Sequence, residues 1–236
     1  MHKWFTEFIG TYFLVLTVCL SVLTNAPLAA VAIGCSLMIM VYMGGHLSGG
    51  HYNPAVSLAV LLRGKLDAKE FVPYAVSQVL GAVAAALTAN LILRNTAKSS
   101  FALAPAQNVG AWGALLVEAL YTFALCLVVL NVATSKKTEG NSYYGLAIGF
   151  TIVVAAIAGG SLSGGAFNPA VGTGPILVNA IVNGGTLSDL WIYWVGPLLG
   201  GAVSAGVFRF QEEGIKPAEE PRRPTRELAP SDRLRH

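Results

Sequence analysis

Long apolar runs, broken at near-regular intervals by short polar or charged segments, fill residues 4–210. A bilayer crossing takes about 20 predominantly apolar residues. Six runs approach or reach that length, at about 4–23, 28–43, 71–93, 112–133, 143–158 and 190–210. Asp67-Ala-Lys-Glu70 makes a polar helix start for the third of them, and Lys136-Lys137-Thr-Glu139 a charged turn after the fourth. Two further apolar runs, at about 55–62 and 170–181, are too short to cross, and Arg63-Gly-Lys65 ends the first. Each must enter the membrane and return on the same side. The pattern predicts an all-α membrane protein of six transmembrane helices and two re-entrant half-helices.

The two short runs follow the same stretch of sequence. His46-Leu-Ser-Gly-Gly-His-Tyr-Asn53-Pro54-Ala55-Val56 recurs as Ser161-Leu-Ser-Gly-Gly-Ala-Phe-Asn168-Pro169-Ala170-Val171, with eight of eleven positions identical and the asparagines 115 residues apart (168 − 53). In each copy Ser-Gly-Gly resists regular structure, while Asn-Pro-Ala suits an asparagine cap with proline at the first helical position. The chain is thus two tandem copies of one unit. Repeat 1 spans about 1–94 and repeat 2 about 110–210, joined by a loop-like segment with Pro105 and Asn108.

Composition agrees with a membrane protein, since 54% of residues are hydrophobic and only 11% charged, against about a quarter charged in soluble domains. The formal charge of +3 is small and concentrated near the C-terminus, so no nucleic-acid partner is expected. The basic residues serve better as topology signals. Lys3, Arg63, Lys65, Lys69, Lys136, Lys137 and Arg209 fall on one side of the six-span arrangement, and only Arg94 and Lys98 on the other. This bias puts both termini in the cytoplasm, with the chain in the inner or plasma membrane. Three spans per copy then force the second copy to insert upside down relative to the first, as an inverted repeat. The first run has no cleavage site and reads as a retained span. Residues 211–236, with proline and six basic and six acidic residues, are expected to be a disordered cytosolic tail. Cys19, Cys35 and Cys126 lie in apolar runs without a CxxC pair, as small core residues.

Glu7 and Glu118 are the carboxylates well inside the spans, each in Glu-x-x-x-Thr and at equivalent places in the two copies. A buried carboxylate there needs a reason. The expected one is structural: each accepts hydrogen bonds from the neighbouring non-helical Ser-Gly-Gly backbone. That backbone in turn requires a cavity or protein around it. With opposite insertion the two Asn-Pro ends meet near the midplane, each bringing roughly half a positive charge. Asn53 and Asn168 can donate to a passing oxygen, while the carbonyls of Gly49, Gly50, His51, Tyr52, Gly164, Gly165, Ala166 and Phe167 accept. Neutral hydrogen-bonding molecules would pass, and protons and cations would be rejected. No nucleophile and base pair or metal cluster occurs in the spans, so neither an enzyme nor a cofactor or metal site is expected. An ion-coupled secondary transporter shares inverted repeats and broken helices, but no intramembrane Lys, Arg or second acid accompanies either glutamate.

The doubled Asn-Pro-Ala, the doubled Glu-x-x-x-Thr and the Ser-Gly-Gly-His segment resemble the aquaporin, or major intrinsic protein, family over residues 4–210. The resemblance implies a right-handed helical bundle with one pore per subunit, homotetramers in the lipid bilayer, and a pore centre formed by Asn53, Asn168, Pro54, Ala55, Pro169 and Ala170. A non-conducting structural or adhesion role occurs in some members. Where the family places Arg after the second Asn-Pro-Ala, this chain has Val171. The other selectivity-filter positions carry over to Ile33, Ala156 and Gly165. Such a wide, apolar, uncharged filter is similar to that of the plant tonoplast branch and implies a bacterial-type member passing water and small uncharged solutes such as glycerol, urea or ammonia. Gly172 and Leu190-Trp-Ile-Tyr193-Trp194 look more like the water branch, yet the filter weighs more because it touches the solute. His46 and His51 flank the first Gly-Gly and are replaced by Ser161 and Ala166 in the second copy. His46 is expected to make a loop hydrogen bond at the cytoplasmic mouth. Gly196-Pro-Leu-Leu-Gly200-Gly suits close helix packing.

Overall fold

The computed structural model describes residues 1–95 and 102–213, and its regular structure is helical throughout. The long helices are α1 (His2–Leu23), α2 (Ala29–Ser48), α4 (Ala68–Leu93), α5 (Gly110–Thr134), α6 (Tyr144–Ser163) and α8 (Ile192–Glu213). The two short ones are α3 (Pro54–Leu62) and α7 (Pro169–Asn183). By length and composition α1, α2, α4, α5 and α6 can cross a membrane. The sixth long helix, α8, matches α1 at 22 residues, but Gly196-Pro197, Gly200-Gly201 and Ser204 dilute its apolar content and Arg209, Glu212 and Glu213 charge its end. That last turn revises the boundary drawn from sequence, since 211–213 continue the helix. Lys98 and residues 214–236, which carry the expected tail, lie outside the described residues.

A second revision concerns where the helices before the repeat motif stop. Ser-Gly-Gly does not resist helix as a whole. Helix α2 continues through His46 to Ser48 and α6 to Ser163, and each is ended by a glycine in the left-handed region, Gly49 at φ 95° and Gly164 at φ 96°. Serine tolerates the helix, and the achiral residue supplies the turn out of it. His46 therefore sits in the last turn of a helix and is exposed, and its side chain makes no hydrogen bond among the described residues in place of the expected one.

The helices approach closely where side chains are missing. Between the two halves α2 crosses α6 at Gly34 and Gly149, where a Cβ on either glycine would come within 2.5 Å of the other's carbonyl oxygen. Within the first half α4 meets α1 at Gly81, whose Cβ would fall 2.5 Å from the Phe8 carbonyl; within the second, Gly200 of α8 faces the Ala119 carbonyl of α5 in the same way. The short helices cross over between halves. Helix α3 packs on α8, with Gly201 against the Ala55 carbonyl, and α7 packs on α4, with Gly174 against the Ala82 carbonyl. Each half-helix is thus held by the last helix of the other copy. Outward-facing Phe13, Ile39, Leu80, Leu116, Val154 and Leu199 are exposed, as a surface facing hydrocarbon requires.

Candidate pore

The segments leading into α3 and α7 have one backbone conformation twice over. Gly49, Gly50 and Tyr52 have φ of 95°, 62° and 50°; Gly164, Gly165 and Phe167 have 96°, 70° and 51°. A positive φ on an aromatic residue is strained by on the order of 1–3 kcal/mol and persists only where its surroundings hold it. The glutamates do the holding. Glu7 Oε1 accepts from Ser48 Oγ at 2.7 Å and from the His51 amide at 3.0 Å, and Oε2 accepts from the Tyr52 amide at 2.6 Å. Glu118 repeats this with Ser163 Oγ at 2.8 Å, the Ala166 amide at 3.0 Å and the Phe167 amide at 2.5 Å. Both carboxylates are fully buried. The hydroxyls of Tyr74 and Tyr193 cap the carbonyls of Ser48 and Ser163 at 2.7 Å and 2.6 Å. Neither threonine of Glu-x-x-x-Thr reaches its carboxylate. Thr11 donates to the Glu7 main-chain carbonyl, and the buried Thr122 hydroxyl has no partner among the described residues.

Asn53 and Asn168 cap the half-helices, with Pro54 and Pro169 at the first helical position. Each side-chain oxygen accepts from the amide two residues on, Ala55 at 2.8 Å and Ala170 at 2.9 Å. The side-chain nitrogens reach across the molecule. Asn53 Nδ2 donates to the Phe167 carbonyl at 2.9 Å, and Asn168 Nδ2 to the Tyr52 carbonyl at 2.8 Å. An amide nitrogen carries two hydrogens, so one N–H of each asparagine remains for the cavity beside it.

That cavity, of about 40 Å³, is lined by both asparagines and also by Ile33, Ala156, Gly165 and Val171. It has room for about three waters. Gly50, His51, Ala166 and Phe167 line it as well, whereas Gly49 borders a larger vestibule and Tyr52 and Gly164 line neither. The vestibule holds about 830 Å³ at the end of the bundle that carries Lys3, His46, Lys65, Lys136 and Glu139. The two spaces have four residues in common: Gly50, His51, Val129 and Ile148. Among the described residues no group of His, Cys, Asp and Glu could hold a metal ion.

Sequence reasoning missed Gln78 and Ser57. Gln78 Nε2 donates to Glu7 Oε2 at 2.8 Å and to Ser57 Oγ at 3.0 Å, and Ser57 Oγ lies 3.1 Å from His51 Nδ1. The signal was there for Gln78, because a fully polar amide inside an apolar span calls for a partner just as a carboxylate does. A contact at the base of α3 was also missed: Arg63 pairs with Glu212 at 2.7 Å, and Glu212 accepts from Ser135 Oγ at 3.2 Å.

A family model described as major intrinsic protein matches residues 1–208. The chain belongs to the major intrinsic protein family. Aquaporin NIP1-1 of Zea mays is 33% identical over 242 residues, covering 99% of this chain and 83% of the maize protein. Glycerol uptake facilitator protein-like 6 of Lactiplantibacillus plantarum is 34% identical over 210 residues, covering 87% and 95%. The aquaglyceroporin from Plasmodium falciparum shares the fold, with a TM-score of 0.78 at 23% identity over 88% of this chain and 94% of that one. Members of the family are channels rather than enzymes, so this is a multi-pass integral membrane channel of the aquaporin kind.

Proposed function

We propose that the chain is a passive channel for water and for small uncharged solutes of the glycerol, urea and ammonia class, closed to protons and ions. The observation that carries this reading is the pair of asparagine amides, each tied to the main-chain carbonyl just before the other asparagine and each with an N–H left for one small cavity whose wall includes Val171. Two helix N-termini converge there, each with roughly half a positive charge, which repels cations and orients a file of water oppositely on its two sides. Ile33, Ala156, Gly165 and Val171 form the filter in this reading. Their side chains carry no charge and no hydrogen-bond donor, so a solute larger than water meets no fixed guanidinium. The glycerol-facilitator relative supports the solute half of the reading.

The vestibule end, with Lys3, Lys65 and Lys136, is taken as the cytoplasmic one by the excess of basic residues there, which puts both termini inside. The functional particle is taken to be a homotetramer with one pore per subunit. Light scattering from proteoliposomes tests the whole: water, glycerol and urea should cross faster than in empty vesicles, and water flux no faster than in empty vesicles ends the proposal. Val171→Arg is expected to lower glycerol flux by about tenfold, the scale of steric discrimination by a small change in a tight site, with water flux comparatively intact. Equal glycerol flux in that variant means Val171 does not line the filter.

A further inference from the structure

Three lysines line the vestibule from three separate places in the chain: Lys3 at the start of α1, Lys65 just past the end of α3, and Lys136 in the turn after α5. His46 stands with them, and Glu139 is the one carboxylate on the wall. Topology alone asks for basic residues at this end, and Lys69, Lys137 and Arg209 meet that demand without lining the space. The three lysines of the wall have no ion-pair partner among the described residues. Carboxylates that could neutralise them are engaged elsewhere. Asp67 faces Lys69 at 3.4 Å, Glu212 takes Arg63 at 2.7 Å, and Glu70 accepts from Trp4 Nε1 at 2.6 Å. The lysines and Glu139 therefore leave the wall at +2 (3 − 1).

The hydroxyls of the wall are spent on the protein itself. Tyr74 donates to the Ser48 carbonyl, Ser135 to Glu212 and Thr138 to the Asn131 carbonyl. What the vestibule offers a ligand is thus charge, in a concavity of about 830 Å³, within the range of about 300–1,000 Å³ usual for small-molecule sites. On its inner side it adjoins the cavity of about 40 Å³, where the two half-helix N-termini add more positive potential. The field that repels a cation draws an anion inward, and a cavity with room for about three waters stops any larger one above it. We infer that the vestibule is a binding site for a small soluble dianion of the phosphomonoester class, which sits over the pore and blocks it. Such an ester carries about −1.5 to −2 at pH 7, close to the charge that the wall leaves unmatched. The block rests on the channel reading; the binding does not.

The test uses glucose 6-phosphate on the full chain, with glucose as the uncharged control. In phosphatidylcholine proteoliposomes carrying the probe on both faces, water permeability is expected to fall by half at about 1–10 mM, the affinity a few exposed charge contacts provide, and glucose at the same osmolality should leave it unchanged. Calorimetry in detergent should give a dissociation constant in the same range, weakened at least threefold when NaCl is raised from about 0.02 to about 0.5 M. Lys65→Gln with Lys136→Gln should weaken binding and block at least fivefold, whereas Lys137→Gln, next to Lys136 in sequence but off the wall, should leave both at the parent value. Absence of binding heat at about 10 mM overturns the site, as does a double variant that binds like the parent or an equal effect of Lys137→Gln. Block by glucose equal to that by its phosphate overturns recognition by charge. Binding without any fall in water permeability overturns the block. A parent that passes water no faster than empty vesicles ends the channel reading and the block with it, and the calorimetry still decides the site.

Discussion

The two halves of the molecule solve one backbone problem with unequal means. Both turn a glycine-rich strand into a half-helix through an aromatic residue at positive φ, and both hold it with a buried glutamate that accepts from one serine hydroxyl and two amides. In the first half a further donor, Gln78, joins the carboxylate and extends the network to Ser57 and His51; in the second the corresponding places are Pro197, Gly172 and Ala166. The shared part is what the strand conformation demands. The unshared part is free to serve one end of the pore.

Removing the carboxylates probes the shared part most severely. Glu7→Leu and Glu118→Leu each leave several buried donors without an acceptor and should cost at least about 3 kcal/mol, read as a fall in the thermal unfolding temperature in detergent. The loss should be greater at Glu7, because Gln78 Nε2 loses one of its two acceptors along with the amides; equal losses would mean the extra amide adds nothing. A second matched pair tests the packing. Gly81→Ala and Gly200→Ala each drive a Cβ into a main-chain carbonyl of the neighbouring helix, and both should destabilise by about 1–3 kcal/mol. If Gly200→Ala is harmless while Gly81→Ala is not, the pairing of α5 with α8 is looser than that of α1 with α4.

The smallest effect is expected at Glu212, which clasps Arg63 at the base of the first half-helix; the second half-helix ends instead on Gly184 in the left-handed region. Both partners are partly exposed, with side-chain exposures of 24% and 34%, so Glu212→Ala should cost no more than about 1 kcal/mol. A loss of water flux beyond the loss of folded protein would show that the clasp positions the pore as well as the helix end.

Much of this architecture was legible because the doubled motif carries its own physical requirements. Two apolar runs too short to cross, each opened by Asn-Pro, read as re-entrant half-helices. The role of Glu7 and Glu118 followed from the cost of an ionised group in an apolar span. Less was legible where contacts depend on distant helices. Nothing local says that α2 runs on through Gly44-Gly45-His46, because that extension is stabilised by packing rather than by helix propensity. The exposure of His46 follows from it. The pinning of His51 was hidden for the same reason, since Ser57 and Gln78 lie 21 residues apart and meet only once α3 stands beside α4.

The cross-bonds of the two asparagines have a consequence in time. Asn53 finishes its hydrogen bonding on the carbonyl of Phe167, 114 residues further along the chain. At about 5–20 residues per second of synthesis, the first half-helix waits on the order of 10 s for that partner. Until then its tip keeps an amide and a main-chain carbonyl unmatched at membrane depth. A ribosome-arrested chain ending before Phe167 is therefore expected to exchange the amide hydrogens at the tip of the first half-helix faster than the full chain does. The two copies are repeated in sequence, but as a pore they are completed in a single event.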